Sequence, residues 1–254
     1  MIRQAEHLAQ LLPYDDDAFG CLVVSGAQAY GLKTAAVRFW AGEGFAVRLQ
    51  DGTVTLCGKV LPQAAEELRA FLPCVGMHTL VCSASNARCL ALQTAGTGVE
   101  MRLTGKIPAP QIPLRFAEQV PCETALPLSG MHRLLAACET PGFVPPPFEP
   151  FYLDLSHRIR HGAALAAGAY KGETLCACAA AALSPRQLLL FSGAALPQVR
   201  GTGIFAAVLA GLVERAAQGR TVSLLCGEAL CAHYEKLGFT IWKRGNGEND
   251  NGEN

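Results

Sequence analysis

The chain lacks net charge: its 254 residues include 21 acidic and 21 basic side chains. That balance removes any general electrostatic argument for a nucleic-acid or membrane-surface partner and disfavours a strongly charged polymer as substrate. The sequence also lacks an uninterrupted apolar run of about 18 residues, so no membrane-spanning helix is expected. Residues Met1 to His7 show no signal-peptide pattern, and a cytoplasmic protein is the expectation. Zinc-type cysteine spacing is missing too. There are eleven cysteines, an odd number, and Cys176-Ala177-Cys178 forms a close pair whose sulfurs share a face if the segment is a strand, with no second close pair of zinc-like spacing beside it. Buried reduced thiols are therefore expected rather than a disulfide framework or a metal site.

What is present is a glycine loop in a telling place. Gln198-Val199-Arg200-Gly201-Thr202-Gly203 lies between an apolar run and a helical pattern in which Ile204, Phe205, Val208, Leu209, Leu212, Val213 and Ala216 recur at three- and four-residue spacing. Gly219 is placed to end that helix. A glycine loop opening a helix aims backbone N–H groups and the positive end of the helix dipole at one anion, and Arg200 adds a full charge. A P-loop would need Lys and Ser or Thr after the last glycine, where Ile204-Phe205 stand. A dinucleotide fingerprint matches the letters Gly201-Thr202-Gly203-Ile204-Phe205-Ala206, with Glu228 beyond the next apolar run. But Pro197 to Arg200 separate the glycines from their strand, and too little chain follows for a doubly wound sheet.

The pattern Gln198-x-x-Gly201-x-Gly203 resembles the acyl-CoA loop of the GNAT superfamily of N-acetyltransferases. Tyr234-Glu235-Lys236-Leu237-Gly238-Phe239 resembles a second segment of that family, at the right distance and in the right order. The resemblance implies an α/β (α+β) fold whose mixed, mostly antiparallel sheet is flanked by helices. It also implies acetyl-CoA as cofactor, a primary amine of unidentified nature as acceptor, and direct transfer without a covalent enzyme intermediate. Backbone groups from Val199 to Ile204 would contact the CoA pyrophosphate, alongside Gln198, and Leu196 would offer a backbone contact to the pantetheine arm. The loop Gly227-Glu228-Ala229-Leu230 lacks the Asn that relatives often carry. Phe205 replaces a small residue and is expected to pack beneath its helix.

Lys106-Ile107-Pro108-Ala109-Pro110-Gln111-Ile112-Pro113 reads as a linker. Beyond it, a helix is expected over Leu128 to Cys138, then a proline-rich turn at 141–150 and a short segment Phe151 to Arg160. An antiparallel meander follows over Ala163 to Tyr170, Glu173 to Leu183 and Leu188 to Ala195, although alanine propensity alone would make the middle run helical. The first half repeats the order more weakly: strands Thr34 to Trp40, Phe45 to Gln50 and Thr53 to Gly58, helix Gln63 to Phe71, strand His78 to Cys82, helix near Asn86 to Gln93, strand Val99 to Leu103. Two helical runs, Ile2 to Leu12 and Asp17 to Tyr30, precede it. Two tandem GNAT-like domains are the expectation: a degenerate or accessory one over 1–108 and one with an intact cofactor loop over 109–245, then a disordered tail at 246–254. The first would cover the acceptor site or mediate assembly, a homodimer being one form of it.

Acyl transfer to an amine sets two proton problems. An alkyl amine of pKa about 10.4 is neutral in only about one molecule in 2,500 at pH 7, so a base must help. The leaving thiolate gains from a proton donor. Leu230, Tyr234 and Leu237 form an i, i+4, i+7 stripe that reads as core, yet the family places a donor Tyr where Tyr234 stands. For the base, the strand Leu188 to Ala195 offers no carboxylate. Asp154, His157, Arg158, Arg160 and His161 crowd a segment where the family presents acceptor-binding residues, while a solvated turn with local ion pairs explains them equally. His157 is the candidate base, with Asp154 and Glu173 behind it, and Asp154, Arg158 and His161 are candidate substrate contacts. A non-catalytic acyl-CoA sensor or interaction module that kept the loop and lost the base is the alternative.

Overall fold

The computed structural model describes residues 1–93, 96, 98–108, 126–140 and 143–244, and the backbone of 115–120 and 123–124. The 246–254 tail and most of the proline-rich linker lie outside these residues.

The first half opens with β1 (Arg3–Gln4), two 3-10 turns (Leu8–Gln10 and Leu12–Tyr14) and α1 (Ala18–Tyr30). The helix expected over Ile2 to Leu12 does not form. Arg3 and Gln4 instead pair with Ala41 and Trp40, and the Gln10 side chain accepts the amides of Glu6 and His7 at 2.8 and 2.9 Å. Edge pairing and local side-chain bonds thus outcompete weak helical propensity. α1 does form, capped by Asp17, whose side chain accepts the Gly20 amide at 2.9 Å. Then come β2 (Val37–Gly42), β3 (Phe45–Gln50), β4 (Thr53–Gly58), α2 (Pro62–Cys74), β5 (Thr79–Cys82), α3 (Ala84–Cys89) and β6 (Val99–Leu103). Asp51-Gly52, with φ of 48° and 73°, turns β3 into β4.

The second half comprises β7 (Arg115–Val120), β8 (Glu123–Thr124), α4 (Leu128–Ala137), α5 (Phe148–Arg160), β9 (Ala164–Lys171), β10 (Thr174–Leu183), β11 (Gln187–Ala195), α6 (Ile204–Ala216), β12 (Thr221–Cys226), α7 (Cys231–Glu235) and β13 (Phe239–Arg244). α5 starts inside the stretch read as a proline-rich turn. Pro147 precedes it and Pro150 falls in its first turn, where a missing N–H costs no helical bond.

Two mixed sheets result. One runs β1-β2-β3-β4-β5, the other β13-β6-β12-β11-β10-β9-β7-β8. In each, three antiparallel strands are followed by a helix and a strand parallel to the third, β5 beside β4 and β12 beside β11. β6, read as the last strand of the first half, is hydrogen bonded in the second sheet, between β12 and β13.

β10 explains how an alanine run becomes a strand. Ala177, Ala179 and Ala181 pack with α6 on one face, and Cys178 and Ala180 with α4 and α5 on the other. Small side chains buried on both faces let helices approach closely, which overrides propensity. Cys176 and Cys178 do not share a face: a register irregularity between Leu175 and Ala177 sends Cys176 to the α6 side and Cys178 to the α4–α5 side. The ten described cysteines are free thiols.

The halves interlock. Ala18 and Cys21 of α1 pack on Ala182 and Leu189 of the second sheet. Buried Asp15 accepts the Ser184 hydroxyl at 2.6 Å and the Arg186 amide at 2.9 Å, clamping the β10–β11 turn. No described helix is long and apolar enough to cross a membrane.

Candidate active site

β11 and β12 are paired only from Gln187↔Thr221 to Leu190↔Leu224. Beyond that point both strands continue, β11 against β10 and β12 against β6, so the sheet splits between them. A bulge accompanies the split: Phe191 pairs with Ala180 and Ala194 with Cys178, leaving Ser192 and Gly193 opposite Ala179, with Ser192 at φ 49°. An extra residue at this place bends β11 away from its parallel neighbour.

The chain leaves β11 through a 3-10 turn, Pro197–Val199, and enters α6 at Ile204. Gly201 and Gly203 adopt φ of 78° and 84°, a region side chains with a Cβ rarely occupy. Gly203 caps α6 without any side-chain cap, and among the described residues the first amide of the helix bonded to the backbone is that of Ala207, on the Gly203 carbonyl at 3.0 Å. Amides ahead of it are left pointing out of the helix end, the geometry of an anion site.

One cavity of about 1980 Å³ joins these parts. Leu190 to Ala195 and Leu224 to Gly227 line it at the split, Val199, Arg200, Gly201, Gly203 and Phe205 at the loop, and Tyr234 on α7. Its far side belongs to the first half: Tyr14, Asp16, Asp17, Phe19, Lys59, the 77–85 stretch and Glu100. Burial, with the Cys226 thiol adding to it, pushes the Tyr234 phenol up to about 12, so it stays protonated at neutral pH. Glu100 is a carboxylate that sequence reading did not single out. It is 3% exposed, and burial first, then Asp17, push its carboxyl up to about 7 against the pull of Arg102 and Lys243.

No protein-family model and no curated protein matches the sequence. Solved structures do match. The chain is similar to a tandem GNAT protein from the clavulanic acid biosynthesis pathway, at 14% identity over 96% of both chains with a TM-score of 0.59. It is similar to a GCN5-related N-acetyltransferase from Sphaerobacter thermophilus, at 16% identity, 96% of this chain, 93% of that one and a TM-score of 0.56. A GCN5-related N-acetyltransferase from Kribbella flavida matches at 14% identity, 87% of this chain, 91% of that one and a TM-score of 0.56. The fold is the GNAT fold.

Within this GNAT fold the residues picked from sequence divide. Val199, Arg200, Gly201, Gly203 and Tyr234 line the cavity. Gln198 is exposed on the outer side of the 3-10 turn, Ile204 is buried in the core, and Thr202 spends its hydroxyl on the Val199 carbonyl at 2.6 Å. Leu196 is not a free strand edge: its amide bonds the Cys176 carbonyl at 2.9 Å and its carbonyl accepts the Val199 amide at 3.0 Å. The Arg200 guanidinium turns back onto the Ala195 carbonyl at 3.2 Å. Phe205 does not pack wholly beneath α6; its ring lines the cavity and fills the space that a Cβ on Gly193 would need.

Asp154, His157 and Arg158, on α5, and His161, at its C-cap, are not among the residues lining the cavity. Arg158, 2% exposed, forks onto Asp154 at 2.9 and 3.0 Å and donates to Ser25 at 3.2 Å. Asp154 also accepts Tyr30 at 2.8 Å and Gln50 at 3.0 Å. Burial raises the Asp154 carboxyl, but Arg158 and these hydrogen bonds more than offset that and hold it below the usual carboxylate range. His157 stacks on Tyr30 with ring centres 4.2 Å apart and sits 3.0 Å from the Ala29 carbonyl, while His161 stacks on His157. The cluster fastens α5 to α1 and β3. Asp154, His157 and Arg158 are engaged between α5, α1 and β3, whereas His161 is exposed and meets the His157 carbonyl at 2.8 Å.

Proposed function

We propose that the protein is an acyl-CoA-dependent N-acetyltransferase moving an acetyl group from acetyl-CoA to a primary amine by direct attack. The observation that carries this reading is the opening between β11 and β12 beside an uncapped helix N-terminus, inside one cavity. A linear cofactor with an anionic diphosphate and a peptide-like arm fits both features. The amides of Gly201 and of Gly203 to Phe205 would hold the diphosphate, while the unpaired edge of β11 would bond the arm. Since the Leu196 amide turns toward β10, strand alternation directs the Ala195 amide toward the opening, and Ala195 takes the role first expected of Leu196. Tyr234 then gives a proton to the leaving sulfur.

The repeated strand and helix order supports a tandem arrangement, with the first repeat lacking the glycine loop: β4 leads to α2 through Lys59-Val60-Leu61. In this reading the division near residue 108 holds for the chain but not for the sheets, since β6 crosses into the second. A protein that binds acyl-CoA without transferring it is the second reading, favoured by the absence of a carboxylate on β11. Calorimetric titration with acetyl-CoA and an amine panel assayed for thiol release test both. Binding that Gly203→Glu abolishes supports the cofactor site; unchanged affinity in that variant would sink it. One acetylated amine excludes the silent binder.

A further inference from the structure

Resting on the acetyl-transfer reading, we propose that Glu100, on a strand supplied by the first half, is the general base that takes the proton of the acceptor amine. Glu100 pairs with Leu225, the residue immediately after the last β11–β12 pair, so it stands level with the mouth of the split. Its neighbours Val99 and Met101 pack in the cluster formed with α6 and α7. Strand alternation therefore turns Glu100 to the opposite face, toward the start of α1, where the Ala18 amide meets it. Tyr234 belongs to the α6–α7 side. The cavity at the split therefore has the phenol on one face of the sheet and, one strand beyond β12, the carboxylate on the other.

One oxygen of the carboxylate is engaged and the other is not. Arg102 makes a long hydrogen bond and ion pair to Oε1, both at 3.5 Å, while also donating to the Asp16 carbonyl at 2.6 Å and stacking over the Trp242 ring at 3.9 Å. Oε2 is buried and has no hydrogen-bond partner among the described residues, in a side chain that lines the cavity. The charged groups facing it are Asp16 and Asp17 from the start of α1, Arg102 from its own strand and Lys243 from β13, the last held 3.4 Å from Asp17. Such an unpaired buried acceptor is costly unless something uses it. With its carboxyl near 7, Glu100 is ionised often enough to accept a proton and acidic enough to release it.

The step balances. The acceptor ammonium gives one proton to Oε2. Its lone pair then attacks the thioester carbonyl carbon, forming the C–N bond. Collapse of the tetrahedral adduct breaks the C–S bond; the sulfur takes the Tyr234 proton, and a proton from the acylated nitrogen restores the phenol. The one proton the net reaction releases remains on Glu100 and leaves through the cavity.

Glu100→Gln, nearly isosteric, tests this with ethanolamine, lysine, spermidine, tyramine and glycinamide as probe amines. If none is acetylated, acetyl-CoA hydrolysis is read instead, since the same carboxylate would deprotonate water. The variant should bind acetyl-CoA within about twofold of wild type and lose at least about 100-fold in kcat/KM at pH 7. The rising limb of its pH profile should move from near 7 toward the pKa of the nucleophile. Activity within about threefold of wild type, with the limb unmoved, overturns the assignment of Glu100 alone. Failure of the wild-type protein to bind acetyl-CoA in the calorimeter overturns the acetyl-transfer reading, and Glu100 with it.

Discussion

Glu100→Gln should make the protein more stable in mild alkali even as it removes the base. The carboxyl moves from 4.5 in an unfolded chain to about 7 in the folded one because burial and Asp17 disfavour its charge. A pKa raised on folding contributes stability that is complete below 4.5 and lost as pH climbs through about 7. Each unit of difference corresponds to about 1.4 kcal/mol, so ionised Glu100 costs the fold about 3 kcal/mol at pH 8.5. Gln pays no such cost at any pH. For a chain of this size 1 kcal/mol moves Tm by roughly 2–4 °C, and the variant should melt roughly 6–12 °C above wild type at pH 8.5. The two should coincide within a degree or two at pH 4.5, where wild-type Glu100 is protonated. Circular-dichroism melts at pH 4.5, 7 and 8.5 measure this. A difference independent of pH, or a lower Tm for the variant at pH 8.5, would refute the reasoning by showing that Glu100 is not a strained buried carboxylate. A catalytic group that weakens its own fold is a familiar compromise.

Three other outcomes are expected. Gly203→Glu should lower acetyl-CoA affinity at least about 100-fold by calorimetry, because it forces a side chain onto φ 84° and puts a negative charge at an anion site. Tyr234→Phe should leave that affinity within about twofold and slow turnover about 10- to 100-fold in a stopped thiol-release assay. Arg158→Leu should cost about 3 kcal/mol in urea unfolding by stranding Asp154 without its partner, while acetyl-CoA affinity stays unchanged. The opposite split, intact stability with lost binding, would return the α5 cluster to the active site.

Local signals were legible and distant ones were not. The helix Ile204–Ala216 follows from its apolar spacing and the glycines before it, both contained in a short stretch of chain. The meander follows from short turns at Lys171-Gly172 and Ser184-Pro185-Arg186, which leave adjacent runs little choice but to pair. Glu100 was invisible for a specific reason. Val99-Glu100-Met101-Arg102-Leu103 alternates apolar with charged, so it reads as a half-exposed strand with Glu100 and Arg102 on its wet face. That face becomes buried because β6 pairs between β12 and β13 and the start of α1 closes over it. The α5 cluster shows the same limit: Arg158, which reads as a surface charge in sequence, is buried, and Asp154 is tied to Tyr30 and Gln50 by packing on α1 and β3.

By itself, the sequence determined the glycine loop, the helix it opens, the three-strand meander of each half and the Tyr234 segment, because each rests on backbone preference or on periodicity over a few turns. Tertiary structure decided which carboxylate faces the cavity, which of the loop residues reach it, and that the last strand of the first half completes the sheet of the second. Those outcomes depend on pairing and burial between segments far apart in the chain, and burial, which moves the Glu100 carboxyl from an ordinary acid to a group titrating near 7, is a property of the assembled fold.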